Sequence, residues 1–271
     1  DLNEVLAFNK SRILNAKLFS KVDFNIKNWE NDSLDIVFTV KELFYWAAHP
    51  YVILADRNFN VWWYEMGRKL NRLNIGIDFD RKNFRGRNEE IGGEVQVGFN
   101  KHVYLYYHNP FIDKSLKHGM RAIASYNTGK EIHFATDSNK QVFYRNETQN
   151  PFRWLRLELS HLYRPGYAGI HETRLGFNHY GVTDSLLSEQ PNFLGGQNEL
   201  SYFELWYQFK YELTDDRNYA ENGWEFQFNA SKKGLGIFND LNQTSFYTHI
   251  ANYQKMSSRF STALHLRGRL S

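Results

Sequence analysis

Leu73–Phe111 reads LNIGIDFDRKNFRGRNEEIGGEVQVGFNKHVYLYYHNPF. Leu73, Ile75, Ile77 and Phe79 alternate with Asn74, Gly76, Asp78 and Asp80. After a turn rich in Asn, Gly and Arg, Ile91, Val95, Val97 and Phe99 alternate with Glu90, Glu94 and Gln96, and Val103, Leu105 and Tyr107 then alternate with Tyr104, Tyr106 and His108. A period of two puts each set on its own face of a strand. One face is apolar throughout, whereas the other carries carboxylates, amides and glycines. Such strands, meeting at tight turns, suit an antiparallel barrel with lipid outside and water inside.

The pattern continues toward the C-terminus. A fifth strand is expected from about Met120 to Phe134, and Leu155, Leu157 and Leu159 against Arg156, Glu158 and Ser160 make a sixth. RPGYAG turns the chain into Thr173, Leu175 and Phe177 of a seventh. Past a long polar loop, Phe203, Leu205, Tyr207, Phe209, Tyr211 and Leu213 oppose Glu204, Gln208, Lys210 and Glu212. A soluble strand of that length would need a large partner to cover it, so Phe203, Leu205, Tyr207, Phe209 and Tyr211 are expected to face lipid. A ninth strand runs through Trp224, Phe226 and Phe228. A tenth lies around Ser245–Gln254 with no clear face, and an eleventh alternates Phe260, Leu264, Leu266 and Leu270 with Ser261, His265, Arg267 and Arg269.

Toward the N-terminus the pattern changes. Val5, Leu6, Phe8, Ile13, Leu14 and Leu18 recur at helical spacing, with Asn9 as a candidate break. Val22, Phe24 and Ile26, then Leu34, Ile36, Phe38 and Val40, form two short alternating runs joined by KNWENDS, which gives a helix on a hairpin. The intervening ELFYWAAHPYVILADRNFNVWWYEMGRKLNR is aromatic and poorly periodic. The first barrel strand is placed within it at Asp56–Tyr64.

Several of these segments resemble a known family. RILNAKLFSKVDFNI followed by LDIVFTVKE resembles the second half of a POTRA domain, the periplasmic module preceding the barrel in the outer-membrane assembly-factor superfamily of BamA and TamA type. DRKNFRGRNEEIGGEVQVGF resembles that superfamily's turn between the second and third barrel strands, LYYHNPFIDKSLKHG its turn after the fourth, and DDRNYAENG its turn before the ninth. The resemblance implies that residues 1–42 are the C-terminal part of the last periplasmic POTRA domain. Residues 43–271 would then be the N-terminal strands of an outer-membrane barrel. It further implies a lateral seam at the first strand, carried by Asn58, Phe59, Asn60, Val61, Trp62 and Trp63, and a periplasmic turn at Asn83, Phe84, Gly86 and Asn88. Trp62 and Trp63 have a second reading, a belt at the lipid headgroups as in any barrel. Single-chain bacterial barrels have an even strand count, and the resembled family closes with sixteen. The chain is therefore expected to be a piece of a longer protein lacking about five strands and a loop pinned inside the barrel. The implied role is assembly of other barrel proteins. Its partners would be outer-membrane lipid, unfolded β-barrel clients and periplasmic or lipoprotein accessory subunits. A polypeptide-secreting transporter of the same superfamily and a plain porin are the alternatives.

Composition restricts the other possibilities. The net charge is +3, with 33 Lys and Arg scattered among 30 acids, so no basic stripe for nucleic acid emerges. Zero cysteines rule out disulfides and thiolate chemistry. Mean hydropathy is −0.62 and no apolar run is long enough for a spanning helix, which leaves a barrel untouched because half of each strand is polar. The opening DLNEVLAFNK has none of the parts of a signal peptide. His161, His171 and His179 lie near Glu158 and Glu172 in sequence, but their spacing follows strand alternation instead of metal geometry. Asp78, Asp80, Glu90 and Glu94 could be read as paired carboxylates; their place on the polar face of regular strands favours a hydrated lumen lining. No catalytic residue, metal or cofactor is expected.

Overall fold

The computed structural model describes all residues except Asp1, Ala16, Lys17, Asn31, Asp32, Tyr167, Asp216, Arg217, Asn218, Asn239 and Asp240. The chain begins with helix α1 (Leu2–Asn15) and a hairpin of β1 (Phe19–Glu30) and β2 (Ser33–Glu42). Then come β3 (Trp46–Leu54), β4 (Leu73–Arg81), β5 (Glu90–Gly98), β6 (Asn100–Asn109) and β7 (His118–Gly129). A small hairpin, β8 (Glu131–Asp137) and β9 (Lys140–Arg145), precedes β10 (Phe152–Tyr163) and β11 (Gly169–Val182). After α2 (Asp184–Glu189) the chain finishes with β12 (Glu199–Thr214), β13 (Gly223–Lys233), β14 (Gln243–Lys255) and β15 (Ser261–Leu270).

Eleven strands, β3–β7 and β10–β15, pair antiparallel in chain order into one open sheet whose edges are β3 and β15. The β8–β9 hairpin forms a separate pair. The strand expected across Met120–Phe134 therefore stops at Gly129, and β7 pairs directly with β10. Helix α1 continues through Asn9 without a break.

The first strand is not where the sequence reading put it. Asn58, Phe59, Asn60, Val61, Trp62 and Trp63 do not form a strand; they belong to the connection between β3 and β4, in which Val61–Glu65 winds into a π-helical turn. The edge strand is Trp46–Leu54, WAAHPYVIL. Pro50 obscured it, because proline removes a ladder donor and argues against a central strand; at a sheet edge it is tolerated.

Each strand reverses the last, so the connections alternate between two ends. The connections after β4, β6, β10, β12 and β14 are short and fall at the end where α1, β1 and β2 lie. At the opposite end are the connections after β3, around β8–β9, after β11 and after β13, all longer, and the tight turn at Phe99.

The two faces of the sheet invert the burial of a soluble protein. Pro50, Ile77, Val95, Val103, Tyr126 and Leu155 pair in one continuous row, and Leu105, Ala124, Leu157, Phe177 and Phe203 in another. This apolar face is open: Leu159 is 55% exposed, Leu175 47% and Leu205 45%. On the other face His49, Asp78, Glu94, Tyr104, Ser125, Arg156, Asn178 and Tyr202 align in register. There the polar residues are the hidden ones, with Gln96, Ser125, Glu158, Ser160, Glu172 and Asn178 all buried. Phe203, Leu205, Tyr207, Phe209 and Tyr211 share the apolar face of β12, in register with Phe177, Leu175, Thr173, His171 and Gly169 of β11.

Candidate functional site

The edge strand β3 is held to the sheet from both ends and from within. At its start, the Arg81 guanidinium lies 4.8 Å from the centroid of Trp46 and 5.1 Å from that of Phe84, and Lys82 N donates to Tyr45 O at 2.8 Å. Phe84 belongs to the 82–89 turn, where the four expected turn residues do come together. Asn83 and Asn88 both have positive φ, a conformation asparagine tolerates better than other non-glycine residues. Asn83 Oδ1 accepts from Asn88 N at 3.0 Å, Asn83 O accepts from Gly86 N at 3.0 Å, and Phe84 N donates to Glu89 O at 2.9 Å.

Glu89 anchors this turn. Its side chain is fully buried, accepting from Arg85 Nε at 2.7 Å and Nη2 at 2.9 Å, and from Asn109 Nδ2 at 3.3 Å. The Arg85 bonds pull the Glu89 pKa below the ordinary carboxylate value despite the opposing effect of burial, and the same pairing holds Arg85 above its own. One turn further along, Asp113 accepts from the backbone N of Ser115, Lys117 and His118 and from the Ser115 hydroxyl. Those bonds, the Ser115 side chain's first, lower its pKa to about 2.

From within, Tyr51 crosses the neighbouring strand. Its hydroxyl donates to Glu94 Oε1 on β5 and lies 3.3 Å from Gln96 Oε1, so the ring passes over Gly76 of β4. A Cβ on Gly76 would sit 2.4 Å from the Tyr51 ring, so only glycine leaves room. Beside it, His49 Nδ1 lies 3.2 Å from Asp78 Oδ1. The carboxylates that might have been paired for acid–base work are thus shared among neighbours: Asp78 with His49, Glu94 with Tyr51, and Glu90 with the Tyr106 hydroxyl at 2.9 Å.

At the far end of β3, the loop containing Asn58–Trp63 is docked instead of extended. Asn58 Oδ1 accepts from Val61 N at 2.9 Å, and the Phe59 ring packs 5.7 Å from Trp62 and 5.2 Å from Trp63. The Arg68 guanidinium sits 3.8 Å over Trp63. Buried Arg72 closes the loop, donating from Nε to both Asp56 oxygens at 2.9 and 3.0 Å and from Nη2 to Glu131 at 3.1 Å. Burial works against the Arg72 charge, but the Asp56 and Glu131 bonds outweigh it and keep its pKa above the ordinary value. Arg145 Nε donates to the same Glu131 at 2.6 Å, so the loop is tied to the β8–β9 hairpin.

Further round the polar face, Arg121, Glu172, Arg174, Glu158 and Arg156 form a ladder of ion pairs across β7, β11 and β10. Glu158 and Glu172 share this face, whereas His161, His171 and His179 stand on the apolar one, in register with Thr173, Phe209 and Leu155. Strand alternation separates them, and the histidines and glutamates do not converge on a common point. Among the described residues no cluster of three metal-ligating side chains forms, and no helix is long and apolar enough to cross a membrane.

No family model and no curated protein matches the sequence. Among solved structures the chain is similar to a crystal structure of BamA from Haemophilus ducreyi lacking POTRA domains 1–3, with a TM-score of 0.54 at 13% identity. The match covers 98% of this chain and 49% of that one, so the chain spans about half the length of the structure it resembles. At that identity the likeness is one of fold: the open antiparallel sheet is a BamA-like β-barrel sheet.

Proposed function

We propose that this chain is part of an outer-membrane β-barrel protein that assembles or inserts other barrel proteins through the edge at β3. The observation that carries the membrane reading is the inverted sheet, with its apolar face exposed and its polar face buried, an arrangement that lipid against the apolar face would stabilise. The connections agree with it. Short turns on the periplasmic side and longer loops outside are the habit of such barrels, which supports reading the end with α1, β1 and β2 as the periplasmic one. Coverage of nearly the whole chain by the BamA likeness supports the assembly role. Residues 1–42 are proposed to be the end of a POTRA domain.

The edge does the work in this reading. A client strand would add to the unpaired N–H and C=O groups of β3 while the three holds described above keep that strand in place. No covalent chemistry is required, so no residue acts as acid, base or nucleophile and no cofactor is needed. The partners are outer-membrane lipid, unfolded barrel clients and periplasmic or lipoprotein accessory subunits. A second reading, a polypeptide-secreting transporter, is favoured by the Arg–Glu ladder, which gives the lumen a hydrated track. The test is a reversible lock on the edge: in the full-length protein, Val52→Cys is joined by a disulfide to a cysteine on the strand that meets β3. Client insertion into vesicles should stop and resume on reduction. Undiminished insertion by the locked protein overturns the assembly role, and solute or polypeptide passage as the sole activity favours the transporter.

A further inference from the structure

The connection between β13 and β14 is apolar where it leaves the sheet. It begins Gly-Leu-Gly-Ile-Phe, residues 234–238, and Leu235, Ile237 and Phe238 are 40%, 64% and 42% exposed. Phe238 does not stand off the sheet. Phe238 lies 5.7 Å from Phe203 with its ring tilted only 17°, and 6.0 Å from Phe177. Phe177 and Phe203 are themselves an in-register pair on the apolar face, 5.3 Å apart. The segment therefore folds back over the outside of the sheet, past β12 to β11. Gly234 permits the bend. Its N donates to Phe203 O at 2.8 Å, its φ is +75°, and a Cβ there would lie 1.4 Å from the Leu241 carbonyl oxygen.

The height of this contact on the wall is informative. Toward the loop end, the next row on the same face is His179 and Ser201, joined Nδ1 to Oγ at 2.9 Å, and beyond it Arg153 is paired with Glu199. On the other flank Lys232, in register with Leu205, sends its ammonium up to Asn242 Oδ1. Phe177 and Phe203 thus form the last apolar row on β11 and β12 before the polar rim. Phe238 sits where hydrocarbon would give way to headgroups.

We propose that Gly234–Phe238 is a membrane-dipping anchor whose Leu235, Ile237 and Phe238 insert among the lipid acyl chains beside Phe177 and Phe203. The proposal rests on the membrane reading above and adds an occupant for a loop. Lipid is the occupant because Phe238 continues the apolar face at Phe203 and Phe177, Leu235 and Ile237 beside it are exposed apolar side chains, and the row beyond is polar and charged on the water side.

The chain has no cysteine, so one introduced residue carries a label uniquely. Ile237→Cys, Leu205→Cys and Gln208→Cys are each labelled with a solvatochromic fluorophore. Each is placed, in the full chain, in phosphatidylcholine vesicles with or without a doxyl quencher on the acyl chain. The label at 237 should shift to the blue and lose most of its emission to the acyl quencher, as the label at 205 does, while the label at 208 keeps its emission. Adding Phe238→Ser should release the segment and restore emission at 237. Quenching at 205 without quenching at 237 overturns the anchor and leaves the membrane reading intact. A blue shift at 237 without acyl quenching overturns lipid as the occupant in favour of a protein. Loss of quenching at 205 and 237 alike overturns both readings.

Discussion

Leu175→Arg tests the facing of the sheet where the geometry is plainest. Leu175 lies near the middle of β11, in register with Leu159 on one side and Leu205 on the other, and nearly half of its surface is open. An arginine costs about 2–4 kcal/mol at the midplane of a bilayer and less toward its edge, so for Leu175, one row in from Phe177 and Phe203, the cost is about 2 kcal/mol. Gln208→Arg places the same charge on the opposite face, where it loses one hydrogen bond, Nε2 to Asn229 Oδ1 at 2.9 Å; Asn229 keeps a second donor in Gln227 at 3.2 Å. That loss is worth about 0.5–1.5 kcal/mol, toward the low end because the acceptor stays satisfied. The difference, about 1.5 kcal/mol, is roughly a 10-fold change in the folding equilibrium. Leu205→Arg, in the same row, should fall between the two, since Lys232 beside it already reaches a polar partner outside and an arginine can follow the same way out. Urea titrations of the full-length protein refolding in vesicles rank the three variants. If Gln208→Arg proves as costly as Leu175→Arg, the faces have been assigned the wrong way round.

Tyr51→Phe removes the hydroxyl that reaches across β4 to Glu94, a bond to a charged acceptor worth about 1.5–3 kcal/mol. Hydrogen exchange across Trp46–Leu54 should rise while exchange in β10 and β11 stays put; unchanged exchange in β3 would mean the tyrosine does not hold the edge. The 82–89 turn should depend on acid in a definite direction. Because Glu89 has a folded pKa below its unfolded value near 4.5, its contribution is complete above that value and disappears as the pH falls through the lower folded one. Exchange in the turn, followed from neutral pH downward, should quicken in that window and lose the step in Glu89→Gln. Asp113 follows the same rule between 3.8 and about 2, so the 110–117 turn should outlast the loss of most surface carboxylates, and early loosening near pH 4 would contradict its bonding. The isolated peptide 1–42 should show no cooperative thermal transition, since Leu6 and Val22 are the only apolar side chains buried in it among the described residues. A sharp unfolding step would mean the helix and hairpin are self-sufficient.

Most of the sheet could be read directly from the residues because a strand that is apolar on one face and polar on the other declares its period. β4, β5, β6, β10, β12 and β13 follow their alternation closely. Where both faces carry aromatics the signal cancels: β14 sets Phe246 and Ile250 outward and Tyr247 and Tyr253 inward, and its facing was unreadable. β3 was lost to Pro50 and to the pull of the aromatic run VWWYE, whose rings pack on one another in a loop. The β8–β9 hairpin was missed although EIHFATDSNKQVFYR contains a turn at Ser138 and Asn139, both with positive φ, because a long strand from β7 seemed to continue. The turn residues Asn83, Phe84, Gly86 and Asn88 were legible through the family resemblance of their segment, with Asn and Gly suited to a turn by type. The Tyr51 crossing was not, since it pairs a tyrosine with a glycine on another strand, and only register brings them together.

Every sheet strand pairs with the next sheet strand along the chain, and the β8–β9 hairpin stands outside that order. Gly129 has Asn100 across from it on one side and Phe152 on the other, so β7 and β10 are already complete neighbours without the hairpin. In kinetic terms the sheet can grow by successive hairpins, each closing a short loop, and only the insert lengthens one closure. Growth in that order leaves the outermost strand nothing to wait for but its last partner. The site where a client would be received is then also the final site to be satisfied when this protein itself folds.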